Sequence, residues 1–291
     1  MSALFCFGLG YSAEALARRL AASGYAVHGT SRSGERTAHG FETLVFDGTK
    51  PGAGVAQALS GATHVLISAA PDEAGDPALL HHADDIARAE SVRWIGYLST
   101  IGVYGDAGGA WIDEETPARP GSARASRRIE AEAAWLDFGE RTGKRVQIFR
   151  LGGIYGPGRS AFDDLRAGSA RRIIKPGQVF NRIHVEDIAN VLVAAVGGRG
   201  RHSVYNVVDD EPGPPQDVVA YAAGLLGVPP PPQIPFEKAE LSPMGRSFYS
   251  ENRRVRNARL KDDLGVRLAY PSYREGLAAI LDDERESTPS R

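Results

Sequence analysis

Cysteine occurs once in this chain, at Cys6. A single thiol makes no intrachain disulfide and no thiolate metal cluster, so an oxidising compartment is not required. Its place inside an apolar run marks it as a small core residue. Lysine is scarce too, confined to Lys50, Lys144, Lys175, Lys238 and Lys261. Arginine supplies the rest of the positive charge. Neither sign is in excess: 34 basic against 36 acidic residues leave a formal charge of -2. That balance offers no field for nucleic acid or an acidic membrane. No uninterrupted apolar run reaches the ~18 residues of a membrane-spanning helix. The first apolar stretch lacks a preceding basic segment and ends in a glycine turn, unlike a secretory signal. Internal repeats are absent. The expectation is a soluble, cytoplasmic protein of one large or two modest domains with a small-molecule partner.

What is there begins at residue 4. Leu4 to Phe7 is a short strand pattern that ends at Gly8, and Ser12 to Ala22 carries Leu16 and Leu20 four apart on one helical face. Strand, Gly8-Leu9-Gly10-Tyr11-Ser12-Ala13 and helix together form the first unit of a dinucleotide-binding sheet. Gly8 permits the tight turn, Gly10 lets the backbone approach a pyrophosphate, and Ala13 keeps helix and strand close. Tyr11 and Ser12 open the helix, whose free amides and dipole favour phosphate.

The second strand, Tyr25 to Thr30, ends at Ser31-Arg32-Ser33. NAD sites usually carry an acid about 20 residues past the glycines, on the ribose 2′-hydroxyl. No acid stands there. Ser31, Arg32 and Ser33 are donors suited to a 2′-phosphate. An arginine contact of that kind contributes about 1.5–3 kcal/mol, or roughly ten- to a hundredfold in affinity. NADP(H) is therefore expected over NAD. The competing reading makes Arg32 a solvated residue.

Strand and helix signals then alternate: strands at 42–46, 64–68, 92–98 and 145–151, helices at 55–59, 77–90 and 125–140, with Asp76-Pro77 as a helix start. The alternation predicts an α/β fold, a Rossmann-type doubly wound parallel sheet. Residues 1–155 form the dinucleotide-binding domain, with 181–208 returning to it. Residues 156–180 and 209–282 form a smaller C-terminal substrate-binding cap. Pro229 to Pro232 reads as an extended connector, a last helix lies near Tyr273 to Leu281, and 283–291 is expected to be a mobile tail.

Five segments in this order carry a resemblance: the glycine turn; Leu98-Ser99-Thr100-Ile101-Gly102-Val103-Tyr104-Gly105; Arg150 to Arg159; Arg182 to Ala189; and Tyr205 to Pro212. The chain resembles an extended short-chain dehydrogenase/reductase, of the NAD(P)-dependent epimerase/dehydratase group. The resemblance implies that Ser68, Ala69 and Ala70 line the cofactor path and that Asp47 lies near the adenine. It places Ser99 and Thr100 near the nicotinamide and the substrate oxygen. Gly152 to Tyr155, Ile154 included, would pass under the nicotinamide. Arg182-Ile183-His184 and Arg253-Arg254-Val255 would edge the substrate cleft. It also makes the helices near 77–90 and 125–140 a homodimer surface.

The pattern breaks at the Tyr-x-x-x-Lys pair. Aligning Arg128-Ile129-Glu130-Ala131-Glu132 places Arg124 at the tyrosine and Arg128 at the lysine. A tyrosine of pKa ~10 needs nearby positive charge to move protons near pH 7. Arg128 can still hold ribose hydroxyls. Arg124 cannot trade protons, because guanidinium stays charged. The two arginines could instead bind an anionic substrate group. Tyr104 is the substitute proton donor to weigh against a plain packing role; Tyr155 and His184 carry the same alternative. The sequence leaves open an active oxidoreductase or epimerase and a catalytically silent dinucleotide sensor. His81-His82 is read as a solvated helix face, not a metal site, since adjacent helical residues point about 100° apart. The arginines at 253, 254, 256 and 259 are read as substrate-phosphate contacts or salt-bridge partners.

Overall fold

A computed structural model describes residues 2–287. In chain order the elements are β1 (Ala3–Phe7), α1 (Tyr11–Ala22), β2 (Ala26–Ser31), β3 (Thr43–Val45), α2 (Val55–Ser60), β4 (His64–Ile67), α3 (Pro77–Arg88), β5 (Trp94–Thr100), β6 (Trp111–Ile112), α4 (Ala123–Thr142), β7 (Arg145–Leu151), β8 (Gly153–Tyr155), α5 (Ala161–Arg166), β9 (Arg172–Ile174), β10 (Arg182–His184), α6 (Val185–Val196), β11 (Val204–Val207), α7 (Pro215–Leu226), β12 (Gln233–Pro235), α8 (Pro243–Phe248), β13 (Arg254–Val255), α9 (Ala258–Asp262) and α10 (Tyr273–Ser287). A 3-10 turn, Ile101–Tyr104, follows β5.

The central sheet has seven parallel strands in the order β11-β7-β5-β4-β1-β2-β3. The strand order reverses between β1 and β4, the crevice where open α/β sheets bind ligands. Strand alternation sorts the core. On β5, Ile95 and Tyr97 face the layer of α2, α3 and α4, while Trp94 and Leu98 face α1 and α6. On β7, Val146 and Ile148 join the first layer, Phe149 and Leu151 the second. Arg19 on α1 binds Glu186 on α6 at 2.7 Å, tying the second layer together. Asp76 caps α3 as expected, accepting from Ala78 N at 3.0 Å and Leu79 N at 3.2 Å.

The chain after β7 adds short pieces that periodicity does not reveal. β8 pairs with β10 and β9 with β12, each parallel. Their three-residue strands carry no alternation long enough to read. The last helix also runs further than expected, to Ser287. The expected mobile tail is thus helical over 283–287, because Asp282 to Ser287 contains no breaker and Glu284 binds Arg166 of α5. Residues 288–291 lie outside the described ones.

Candidate functional site

The strand register brings the expected segments to one edge. Phe7 pairs with Ile67, so Gly8 and Ser68 leave the sheet side by side. The amides of Ser68 and Ala69 both donate to Phe7 O, at 2.9 and 3.0 Å. Gly8 has φ +85°, and a Cβ there would lie 3.0 Å from Ala69 N. Only glycine takes that turn without strain. Gly10 opens α1, no side chain caps it, and a Cβ on Gly10 would meet nothing within 4 Å. The first amides of α1 thus have no side-chain cap, the arrangement that leaves them for a phosphate. Ser12 and Ala13 are buried against the sheet. Tyr11 turns its hydroxyl onto Pro157 O at 3.0 Å, and the guanidinium of Arg159 lies 5.9 Å from its ring. Ile154 and Tyr11 both pack against Ala15, Val185 and Ala189. Thr100 pairs with Leu151, which sets Gly152 next to the 3-10 turn.

At the adenosine end the three candidates separate. Thr43 Oγ1 donates to Glu35 O at 2.7 Å, so the 2.7 Å bond between Ser31 and Thr43 must take its proton from Ser31. Ser31 also accepts from Gly34 N at 2.9 Å. Its hydroxyl shapes the loop and has no proton left for a phosphate. Arg32 is exposed and in no hydrogen bond or ion pair among the described residues. Asp47 is exposed, and its Oδ1 accepts from the amide and hydroxyl of Thr49 at 2.9 and 2.7 Å. Those bonds hold its carboxyl below the usual range and turn it toward its own loop. Glu14 on α1 accepts from His39 N at 2.8 Å and pins the β2–β3 loop, a contact no sequence signal announced.

At the other end, alternation separates Ser99 from Thr100. Ser99 faces α4 and donates to Glu132 Oε1 at 2.5 Å. Glu132 is paired with Arg150 at 2.6 Å. Arg150 Nη1 donates to Tyr104 Oη at 2.9 Å, and Tyr104 donates to Asn206 Oδ1 at 2.8 Å. This chain of bonds is buried from end to end. Burial pushes the Tyr104 hydroxyl above its ordinary pKa, and the neighbouring Arg150 only partly offsets it. A proton donor near neutrality needs the opposite direction. Thr100 is half-buried; its Oγ1 accepts from Gly102 N at 3.1 Å, so its own proton is uncommitted. Arg128 reaches the sheet, where Nη1 donates to Leu98 O at 2.7 Å and Tyr97 Oη at 3.1 Å. Arg124 is exposed in the first turn of α4 and bound to no partner among the described residues.

Three members of the buried chain, Glu132, Arg150 and Asn206, have no role that the sequence motifs assign. The available signal was a charge inside an apolar strand, Arg150 between Phe149 and Leu151, and an acid one turn past Arg128.

The remaining candidates each make contacts within the fold. Burial pushes Tyr155 up, and its hydroxyl donates to Ser272 O at 3.2 Å. His184 caps α6, its Nδ1 accepting from Glu186 N at 3.3 Å, and burial pulls its pKa down. Arg253 pairs with Glu251 at 2.7 Å, Arg254 binds Gly109 O, Arg256 lies over Trp111, and Arg259 pairs with Glu115. A Cβ on Gly121 would sit 2.6 Å from Glu251 Oε1, so this segment does border the entry to α4. His82 is not on a solvated face as expected but buried against Phe7 and Phe46, bound to Asp85 and Gly52 N; no metal-binding group occurs among the described residues.

Comparison with known proteins agrees with this geometry. Residues 8–207 match the NAD dependent epimerase/dehydratase family. The chain is similar to a 3-diazoavenalumate denitrifying reductase of Streptomyces sp., 28% identical over 67% of each protein. A functionally unknown conserved protein from Silicibacter pomeroyi DSS is 51% identical, with a TM-score of 0.86 over 98% of this chain and 99% of that one. A putative NAD-dependent epimerase/dehydratase from Methylobacillus flagellatus is 26% identical, with a TM-score of 0.70 over 98% of each chain. With the glycine turn, the parallel sheet and the matched stretch in agreement, the chain belongs to the NAD dependent epimerase/dehydratase family.

Proposed function

We propose that this protein is an NADP(H)-dependent oxidoreductase acting on a small polar, anion-bearing molecule, and that it works without a tyrosine acid. One observation carries the cofactor half: unclaimed amides at the start of α1, open space at Gly10 and an unpaired Arg32 at the end of β2. The dinucleotide, when bound, supplies or accepts a hydride at its nicotinamide ring. The α1 amides hold its pyrophosphate and Arg32 its 2′-phosphate. Arg128, anchored on Leu98 O, has further guanidinium donors for ribose hydroxyls. Thr100 donates to the substrate oxygen. Arg124 stands one helical turn before Arg128 and takes an anionic group of the substrate.

An arginine where the family has tyrosine favours substrates that need no proton from that position. The Streptomyces relative is named for reducing a diazo compound, which is why such acceptors belong beside carbonyls in a test. The same reading includes a homodimer paired through α3 and α4.

A silent dinucleotide sensor is the second reading, favoured by the burial of Ser99 and Tyr104 in one hydrogen-bond chain. Stopped-flow absorbance of NADPH with carbonyl, iminium and diazo acceptors separates the two. The enzyme reading expects turnover that falls about tenfold or more in Thr100→Ala. It also expects a raised KM in Arg124→Ala and an unchanged kcat in Tyr104→Phe. Tight NADPH binding with no oxidation by any acceptor would establish the sensor.

A further inference from the structure

β10 carries a guanidinium that meets no carboxylate at ion-pair distance among the described residues. Arg182 on β10 is partly buried, and its Nη1 donates to the carbonyls of Phe180 and Gly213, each at 3.0 Å. Its charge lies 6.0 Å from the centre of the Tyr273 ring. Arg19, Arg150, Arg253 and Arg259 each meet an acid; Arg182 is in no ion pair among the described residues. Asp209 is the acid whose field it feels most, yet Asp209 Oδ2 is buried without a hydrogen bond. Burial pushes the Asp209 carboxyl up to about 8, against the opposite pull of Arg182. A desolvated guanidinium without a counter-ion is costly unless something pairs with it.

What Arg182 faces is a cavity of about 380 Å³ between α5, α7 and α10. Tyr155, Tyr273, Val218 and Leu277 give it aromatic and apolar walls. Asp163 and Asp164 also line it. Asp163 Oδ2 is taken by the amide and hydroxyl of Ser160, at 2.7 and 2.8 Å. Arg159 lines it as well, its guanidinium 5.9 Å from the Tyr11 ring; the two acids oppose a multiply charged anion at Arg182. Of the residues placed around the dinucleotide, Tyr155 is in the wall, while Gly8, Gly10, Arg32, Thr100 and Arg128 are not. The volume lies in the range of small-molecule sites.

We propose that this cavity binds a monocarboxylate with a flat apolar body, its carboxylate on Arg182 and its ring between Tyr273, Val218 and Leu277. Calorimetry of the full chain with benzoate tests it, with inorganic phosphate as the comparison anion and thermal melts to confirm folding. Benzoate is expected to bind with a dissociation constant of about 1 mM or tighter, and phosphate more weakly. Losing the charge-assisted contact in Arg182→Gln should weaken benzoate about tenfold or more. Val218→Phe fills the cavity from the wall without touching the guanidinium and should abolish binding; it decides the matter if Arg182→Gln does not fold. No benzoate binding by the wild type, or equal binding by Val218→Phe, would overturn the assignment.

Discussion

Adjacent hydroxyls on β5 end in opposite environments because side chains alternate along a strand. Ser99 spends its proton on Glu132, and Thr100 keeps its own. One buried histidine shows the same dependence on place. His64 is fully buried, its Nε2 has no partner, and burial lowers its pKa from 6.5 to about 4. The folded state therefore refuses a proton that the unfolded chain accepts below pH 6.5. Stability is full above that pH and falls as pH drops toward 4, by up to ~3 kcal/mol. Denaturant titrations near neutrality and at about pH 4.5 should show this loss in the wild type and much less of it in His64→Phe. An equal loss in both would remove His64 as the cause.

At the scale of elements, the buried Glu132–Arg150 pair joins α4 to β7, and Tyr104 and Asn206 extend it to the 3-10 turn and β11. Removing one partner of such a pair strands a charge and costs about 3–5 kcal/mol. Glu132→Ala should therefore lower the unfolding free energy by that order. The double variant Glu132→Leu, Arg150→Met should recover most of the loss, because it leaves no charge behind. Additive losses in that cycle would deny the pairing. The long elements here were legible in sequence: the glycine turn, the α3 cap at Asp76 and the apolar alternation of β5 and β7 each rest on local chemistry. The buried chain was not, because Glu132 and Arg150 stand 18 positions apart and meet only through the packing of α4 on the sheet. The same holds for Ser31, whose proton is consumed by Thr43 on the neighbouring strand.

For the whole molecule, two layers of helices close the sheet, and the chain after β7 adds short strands that only long-range pairing defines. No helix among the described residues is long and apolar enough to cross a membrane. On the α3 side Leu80 is 51% exposed, a large apolar side chain on the face we assign to dimer pairing. Sedimentation should find a dimer for the wild type and a shift toward monomer in Leu80→Arg; a monomeric wild type would contradict that assignment. The central claim concerns the dinucleotide edge, where α1, β2 and β4 converge. Isothermal titration calorimetry of NADPH and NADH, on the wild type and on Arg32→Ala, tests it most directly. The prediction is NADPH bound about ten- to a hundredfold more tightly than NADH, with that preference erased in Arg32→Ala and NADH little changed. No heat with either nucleotide, or equal weakening of both by the substitution, would contradict it.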